Sequence, residues 1–234
     1  MKKFFFFAAA ALAAMTVNAQ TLIFDADTVT HKATGTWSDG YTWEVGDAFD
    51  LTLVDTKAKM VVDANNAYFG TAENHVKLQS RLKTGGKSAT SGENSIEINI
   101  YQSGKLNIAA RTGSNSATDR NIIITQSGTE LVNKILLESD AVEVAGLDSK
   151  EPEKKTKVYP IISCDVTPGK LVITYPVGSV NFYAFAIGDI EVTPASQEGI
   201  NNTNASVKVE KFFRDGQLII RKNGVEYNAL GTRL

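Results

Sequence analysis

Apolar and polar positions alternate along most of the chain, most regularly between Ser95 and Thr193. Ile96, Ile98 and Ile100 alternate with Glu97, Asn99 and Tyr101. This is the period of two of a half-buried strand, whose successive side chains leave opposite faces. Ser103-Gly104 marks a turn, after which Leu106, Ile108 and Ala110 resume the alternation against Asn107 and Ala109. Beyond the polar loop TGSNSATD, the run Ile122-Ile123-Ile124 is β-branched and suits a strand covered on both faces. Phe182 to Ile190 is apolar at both parities, which predicts a central strand. Outside the first residues no long window sustains a 3.6-residue period. The pattern predicts an all-β fold, an antiparallel β-sandwich.

The flanking segments extend it. Leu22, Phe24 and Val29 predict an edge strand and turn over residues 21–34, and Thr36 to Gly40 form a turn before the alternating segment Tyr41 to Val45. Leu51, Leu53 and Met60-Val61-Val62 supply two more strands, while Asp63 to Phe69, polar apart from its aromatics, reads as a loop. His75 to Lys83 is the most clearly two-faced segment: Val76, Leu78, Ser80 and Leu82 on one side, Lys77, Gln79, Arg81 and Lys83 on the other, closed by Gly85-Gly86. Leu131 to Leu137 fits a strand or a short helix. Asp148 to Lys157 (DSKEPEKKTK) has a proline and no apolar residue, predicting a solvated charged excursion. Ile161-Ile162 and Val172-Ile173 complete the sandwich. A turn glycine feeding a strand recurs at Gly104-Lys105-Leu106-Asn107-Ile108, Gly169-Lys170-Leu171-Val172-Ile173 and Gly216-Gln217-Leu218-Ile219-Ile220, at unequal separations.

The ends of the chain are organised differently. Lys2-Lys3, the apolar stretch Phe4 to Met15 and the small-residue site Val17-Asn18-Ala19 form a secretory signal peptide over residues 1–19, too short to span a bilayer. Residues 20–194 are then the sandwich domain, 195–206 a polar linker, and 207–234 a small C-terminal β-hairpin turning at Asn223-Gly224.

Composition adds exclusions. The 234 residues carry a formal charge of −2, and loss of Lys2 and Lys3 leaves 22 basic against 26 acidic side chains, so neither the whole nor the mature chain has an electrostatic reason to bind nucleic acid. The lone Cys164 allows no internal disulfide and, flanked by Ile161 and Ile162, reads as a buried thiol. His31 and His75 are the only histidines, there is no Gly-x-Ser-x-Gly elbow and no His/Cys cluster, and Asp25 and Asp27 lack the glycine loop of a calcium site. No catalytic residue, metal or cofactor is therefore assigned.

Two resemblances follow from particular residues. The tail FFRDGQLIIRKNGVEYNALGTRL, through Asp215-Gly216, Leu218, Ile220, Asn223-Gly224, Tyr227, Gly231 and Leu234, resembles the short C-terminal segments of exported Bacteroidetes proteins related to type IX sorting tails. That implies contact with export machinery and a periplasmic, outer-surface or extracellular location. Across most of Trp37 to Val192, Arg81 to Gly86, Ser95 to Ile98, Gly104 to Ala109, Asp119 to Ile122 and Val180 to Tyr183 resemble carbohydrate-binding-module-like domains that accompany pectate lyases in that phylum. This resemblance implies a jelly-roll or galactose-binding-like sandwich that binds sugar and is not an enzyme. A structural or protein-interaction component of the cell surface is the competing class, and a polysaccharide-active enzyme using two carboxylates a third.

Sugar recognition needs flat apolar faces for ring C–H groups and forked polar groups for hydroxyls or carboxylates. Trp37 sits in polar company, Tyr41 shares a face with Trp43 and Val45, and Tyr68 falls in the loop after Asp63. Core packing competes with binding for Tyr41. Lys77, Gln79, Arg81 and Lys83 form a basic stripe suited to an anionic glycan such as a uronate polymer; a merely solvated outer face is the alternative. The export segment yields a direct expectation: N-terminal sequencing of exported protein should begin at Gln20, and a chain retained in the cytoplasm or starting at Met1 would refute the assignment.

Overall fold

A computed structural model describes residues 20–26, 40–148 and 150–191, together with the backbone of three strands beyond them. The chain divides into two compact units, Met1–Val192 and Thr193–Leu234. In chain order the strands of the first unit are β1 (Gln20–Ile23), β2 (Tyr41–Val45), β3 (Phe49–Val54), β4 (Val61–Gly70), β5 (His75–Lys83), β6 (Ser95–Ile100), β7 (Gly104–Thr112), β8 (Asn121–Gln126), β9 (Thr129–Ile135), β10 (Val142–Ala145), β11 (Lys155–Tyr159), β12 (Ile162–Val166), β13 (Gly169–Thr174) and β14 (Val180–Ile187). They form two sheets, β10-β11-β4-β5-β14-β7-β12 with β1 also on β14, and β2-β3-β6-β13-β8-β9. The unit is an all-β sandwich, antiparallel except where β11 runs parallel to β4.

Period-two side chains of both sheets meet in the main core. Phe49, Leu51 and Leu53 of β3, Ile96, Ile98 and Ile100 of β6, and Leu171 and Ile173 of β13 come from one sheet. Leu82 of β5, Leu106 and Ile108 of β7, and Phe182, Phe185 and Ile187 of β14 come from the other. Each such side chain contributes roughly 1.5–3 kcal/mol through burial. As the sequence predicts, β14 is central and buried along its whole length.

Several segments depart from the pattern reading. The strand covered on both faces besides β14 is β7, not β8. In β8 Ile122 and Ile124 are buried and Ile123 is only partly so, while Leu106 to Ala110 of β7 are all buried. Ala109 faces a second apolar cluster with Tyr183, Ala184 and Ala186 of β14, Phe69, Leu78 and Tyr159. Asn107 tolerates burial because its amide donates to the Gly188 carbonyl at 2.7 Å and accepts from the Ser163 hydroxyl at 2.5 Å.

Residues 63–69 belong to β4 rather than to a loop. A bulge between Ala64 and Ala67 breaks the period of two there, and the polar Asp63 and Asn65 have side-chain partners. Residues 131–135 are strand, in β9 paired with β8. The charged excursion is the exposed tip of a hairpin: its end, Lys155 to Lys157, lies in β11, paired with β10, which the pattern did not predict. In the second unit β15 (Val209–Arg214), β16 (Gln217–Lys222) and β17 (Val225–Asn228) form a three-stranded antiparallel sheet where one hairpin was expected. Lys222 pairs with Val225, while residues 1–19, the linker 195–206 and Asn223-Gly224 lie outside the described residues.

After β5 the chain passes close to the loop before β4. The Asp55 carboxylate accepts from the Lys59 and Met60 amides at 2.8 and 3.0 Å, fixing the Lys59 carbonyl. Gly85 has φ +64°, and a Cβ there would lie 2.3 Å from that oxygen. Gly128, in the β8–β9 turn, has φ +83° and open space around it. Gly128→Ala should therefore cost about 1–2 kcal/mol, the left-handed penalty alone, and Gly85→Ala clearly more, about 3 kcal/mol or above. Urea unfolding of the two variants checks this; equal losses would mean that the close approach at Gly85 is not limiting.

Candidate functional site

The two-faced segment becomes β5, with Leu78, Ser80 and Leu82 buried and Val76 partly so. These do not face a single core. Leu82 joins the main core, whereas Leu78, with Val76 against it, joins the second cluster, because the hairpin of β4 and β5 crosses from one to the other along its length. On the polar side Lys77 stands opposite Tyr68, Arg81 opposite Asp63 and Lys83 opposite Val61.

Each candidate has a distinct environment. The Lys77 ammonium lies 5.9 Å from the centre of the Tyr68 ring, a cation–π contact. Tyr68 is a strand residue, its hydroxyl donating to the Leu147 carbonyl at 3.2 Å; burial, then the charge of Asp148, raises its pKa. Arg81 grips Asp63 through both edges of its fork, Nε to Oδ1 at 2.7 Å and Nη2 to Oδ2 at 3.3 Å, so its charge is already answered. Gln79 and Lys83 are exposed. Neither Lys77 nor Lys83 has a carboxylate partner among the described residues. Tyr41 is not part of this group: it lies in the other sheet, its ring 4.6 Å from that of Trp43 in an edge-on contact, and both pack against the main core. Trp37 lies outside the described residues, as do His31 and Asp27.

Register links the stripe to a second group of residues. Lys83 is opposite Asn181 of β14, and Asn181 is opposite Arg111 of β7, so the three form one row across adjacent strands. Arg111 is the hub of a polar network. Its Nε donates to the Tyr183 hydroxyl at 3.2 Å, and its Nη1 donates to Tyr159 at 2.9 Å and to Glu138 Oε1 at 3.3 Å. Glu138 Oε2 accepts from Tyr159 at 2.8 Å and from Lys157 at 3.0 Å, and Tyr183 donates to Asn65 at 2.6 Å. Burial works against the charge on Arg111, but the Tyr183 and Tyr159 oxygens outweigh it and raise its pKa. Sequence reasoning missed this group because Arg111 lies 27, 48 and 72 residues from Glu138, Tyr159 and Tyr183. The available signal was a set of polar-tipped side chains inside otherwise apolar strands.

Mechanically the network is a clamp. Only two register pairs join β11 to β4, and Glu138, on the 3-10 turn Glu138–Asp140, ties β11 to β7 through Tyr159, Lys157 and Arg111. Beside it lies a recess of about one water's volume, rimmed by Arg111, Lys134 and Asp140 and floored by Leu136, Pro160 and Ile162. Among the described residues no group of three His, Cys, Asp or Glu side chains could hold a metal, and no helix is long and apolar enough to cross a membrane. The Cys164 thiol is buried, which raises its pKa.

No protein-family model matches the chain, and no curated protein matches it. Among solved structures, a crystal structure of an exo-β-1,3-galactanase from Phanerochaete chrysosporium with galactose aligns with 61% of this chain and 34% of its own, at 10% identity and a TM-score of 0.20. At that TM-score the likeness carries no argument about fold or function.

Burial pushes the Tyr159 phenol up to about 12, so at neutral pH it is a proton donor to Glu138. Its folded value lies above the ordinary tyrosine value of about 10, so the stability it contributes is complete below pH 10 and lost as pH rises through about 12. Tyr175, buried and shifted the same way, adds to that loss. Tyr159→Phe should be about 1 kcal/mol less stable than wild type near pH 8, and should lose less stability between about pH 10 and 12. Urea midpoints across that range test it; parallel curves would show that Tyr159 is not a titrating group.

Proposed function

We propose that this is an exported, non-catalytic glycan-binding protein that recognises an acidic polysaccharide, such as a uronate polymer, along the outer face of β5. The observation that carries the proposal is the pair Lys77 and Lys83, two cations on one strand face without carboxylate partners among the described residues. Six residues of strand separate them by about 20 Å. Between them lie exposed Gln79 and an Arg81 already bound to Asp63. Tyr68, beneath Lys77, fixes one end of the stripe. An acidic chain with two cations on one strand face that have no carboxylate partner among the described residues has a surface to which an anionic polymer can bind without displacing such a partner. The signal peptide and the sorting-like tail support action outside the cytoplasm.

Binding of this kind is charge-driven and screened beyond about 10 Å at 0.1 M salt. Calorimetry with polygalacturonate should show affinity falling with salt, and Lys77→Ala with Lys83→Ala should weaken it about tenfold or more, that is by 1.4 kcal/mol. The variant should melt like wild type, since both side chains lie outside the core. Unchanged binding in the double variant, or none in the wild type, returns this face to solvent and favours a structural or protein-interaction role.

A further inference from the structure

We infer that the recess beside Arg111 is a carboxylate subsite for the same acidic polysaccharide, taking the exocyclic acid group of one uronate unit; this rests on the glycan-binding function proposed above. Donor accounting comes first. A guanidinium has five N–H groups. In Arg111 the Nε bond serves Tyr183 and the two Nη1 bonds serve Glu138 and Tyr159. The two Nη2 bonds have no acceptor among the described residues. Lys134, on the same rim, has no carboxylate or hydrogen-bond acceptor among them either.

Charge and size agree with that count. Arg111, Lys157 and Lys134 stand against Glu138 and Asp140, leaving one positive charge in excess, which one carboxylate would neutralise. The Glu138 carboxylate accepts from three donors, and the bond it takes from Arg111 comes from Nη1, so the Nη2 hydrogens are not used on it. The space is that of about one water, too small for a sugar ring; it takes one carboxylate oxygen, with the rest of the acid group at the open mouth. Its apolar floor, Leu136, Pro160 and Ile162, offers C–H contact to the ring carbon that carries that group, and the Asp140 carboxylate on the rim can accept from a neighbouring hydroxyl. Finally, the row Lys83–Asn181–Arg111 places this group two strands, about 10 Å, from the end of the β5 stripe, a distance within the span of a short run of sugar units.

The clamp role of Arg111 makes Lys134 the residue to change. In calorimetry on the mature full chain, wild type should prefer polygalacturonate to its methyl-esterified form, in which the backbone is kept and the acid is masked. Lys134→Ala should reduce that preference at least about threefold and Lys134→Arg should keep it. Lys170→Ala, which removes one positive charge from β13, two strands from Lys134 in the same sheet and outside the recess, should leave it unchanged, and melting points should confirm that all three variants are folded. Preference for the acid form with no effect of Lys134→Ala, an equal effect of Lys170→Ala, or equal binding of both forms by wild type each overturns the subsite while leaving glycan binding in place. Absence of binding to either form overturns both.

Discussion

The structure depends on covering two strands from both sides. In β7 and β14 apolar side chains point above and below the sheet, so a single facing sheet leaves half of their surface in water. The six-stranded sheet closes one face. Phe69, Leu78 and Tyr159, from β4, β5 and β11, close the other, packed on Ala109, Tyr183, Ala184 and Ala186. Alanine is what makes this possible. Small side chains on the outer face of β7 and β14 let the covering aromatics approach, and the Phe69 and Tyr183 rings meet at 4.9 Å.

That second layer explains the placement of the buried polar groups. Tyr159 and Tyr183 bring hydroxyls into a nearly dry layer, where an unpaired hydroxyl costs about 1–3 kcal/mol. Arg111 donates to both, Glu138 accepts from Tyr159 and Asn65 from Tyr183, and together these bonds join the 3-10 turn, β4, β7, β11 and β14. The ion pair is best understood as satisfying those groups and fixing where β11 docks, since a buried pair is weak support for stability by itself. A short parallel contact of two register pairs then suffices to seat β11.

How much of this was legible in the sequence follows from the range of each signal. Local alternation, as in Ile96–Ile98–Ile100 or in Val76 to Lys83, reports a strand and its two faces directly, and the all-β sandwich was readable from it. Coverage by distant segments is not local: Asn107 looked solvent-facing because nothing nearby in sequence announces Gly188 and Ser163 as its partners. Asp63 to Phe69 looked like a loop because a bulge shifts the period and because its polar residues pair with Arg81 and Tyr183. The β10–β11 hairpin was hidden by its charged tip and exposed edge strand. Of the candidate site, the stripe on β5 was readable from spacing. The commitment of Arg81 to Asp63, and the network at Arg111, needed tertiary structure.

These contacts also divide the basic residues by chemistry. The planar forks of Arg81 and Arg111 are held, one by Asp63 in the β4–β5 hairpin and the other by Glu138 and two tyrosines, and both act first as scaffold. The lysines near them, Lys77, Lys83 and Lys134, present point charges with no carboxylate answering them among the described residues. In the binding proposed above, the lysines would meet the anion while the arginines hold the strands in register. Arg111 belongs to both groups, because its fork is fixed on two sides and its Nη2 has no acceptor among the described residues, and preorganisation by the clamp lowers the ordering cost of any contact made through that nitrogen.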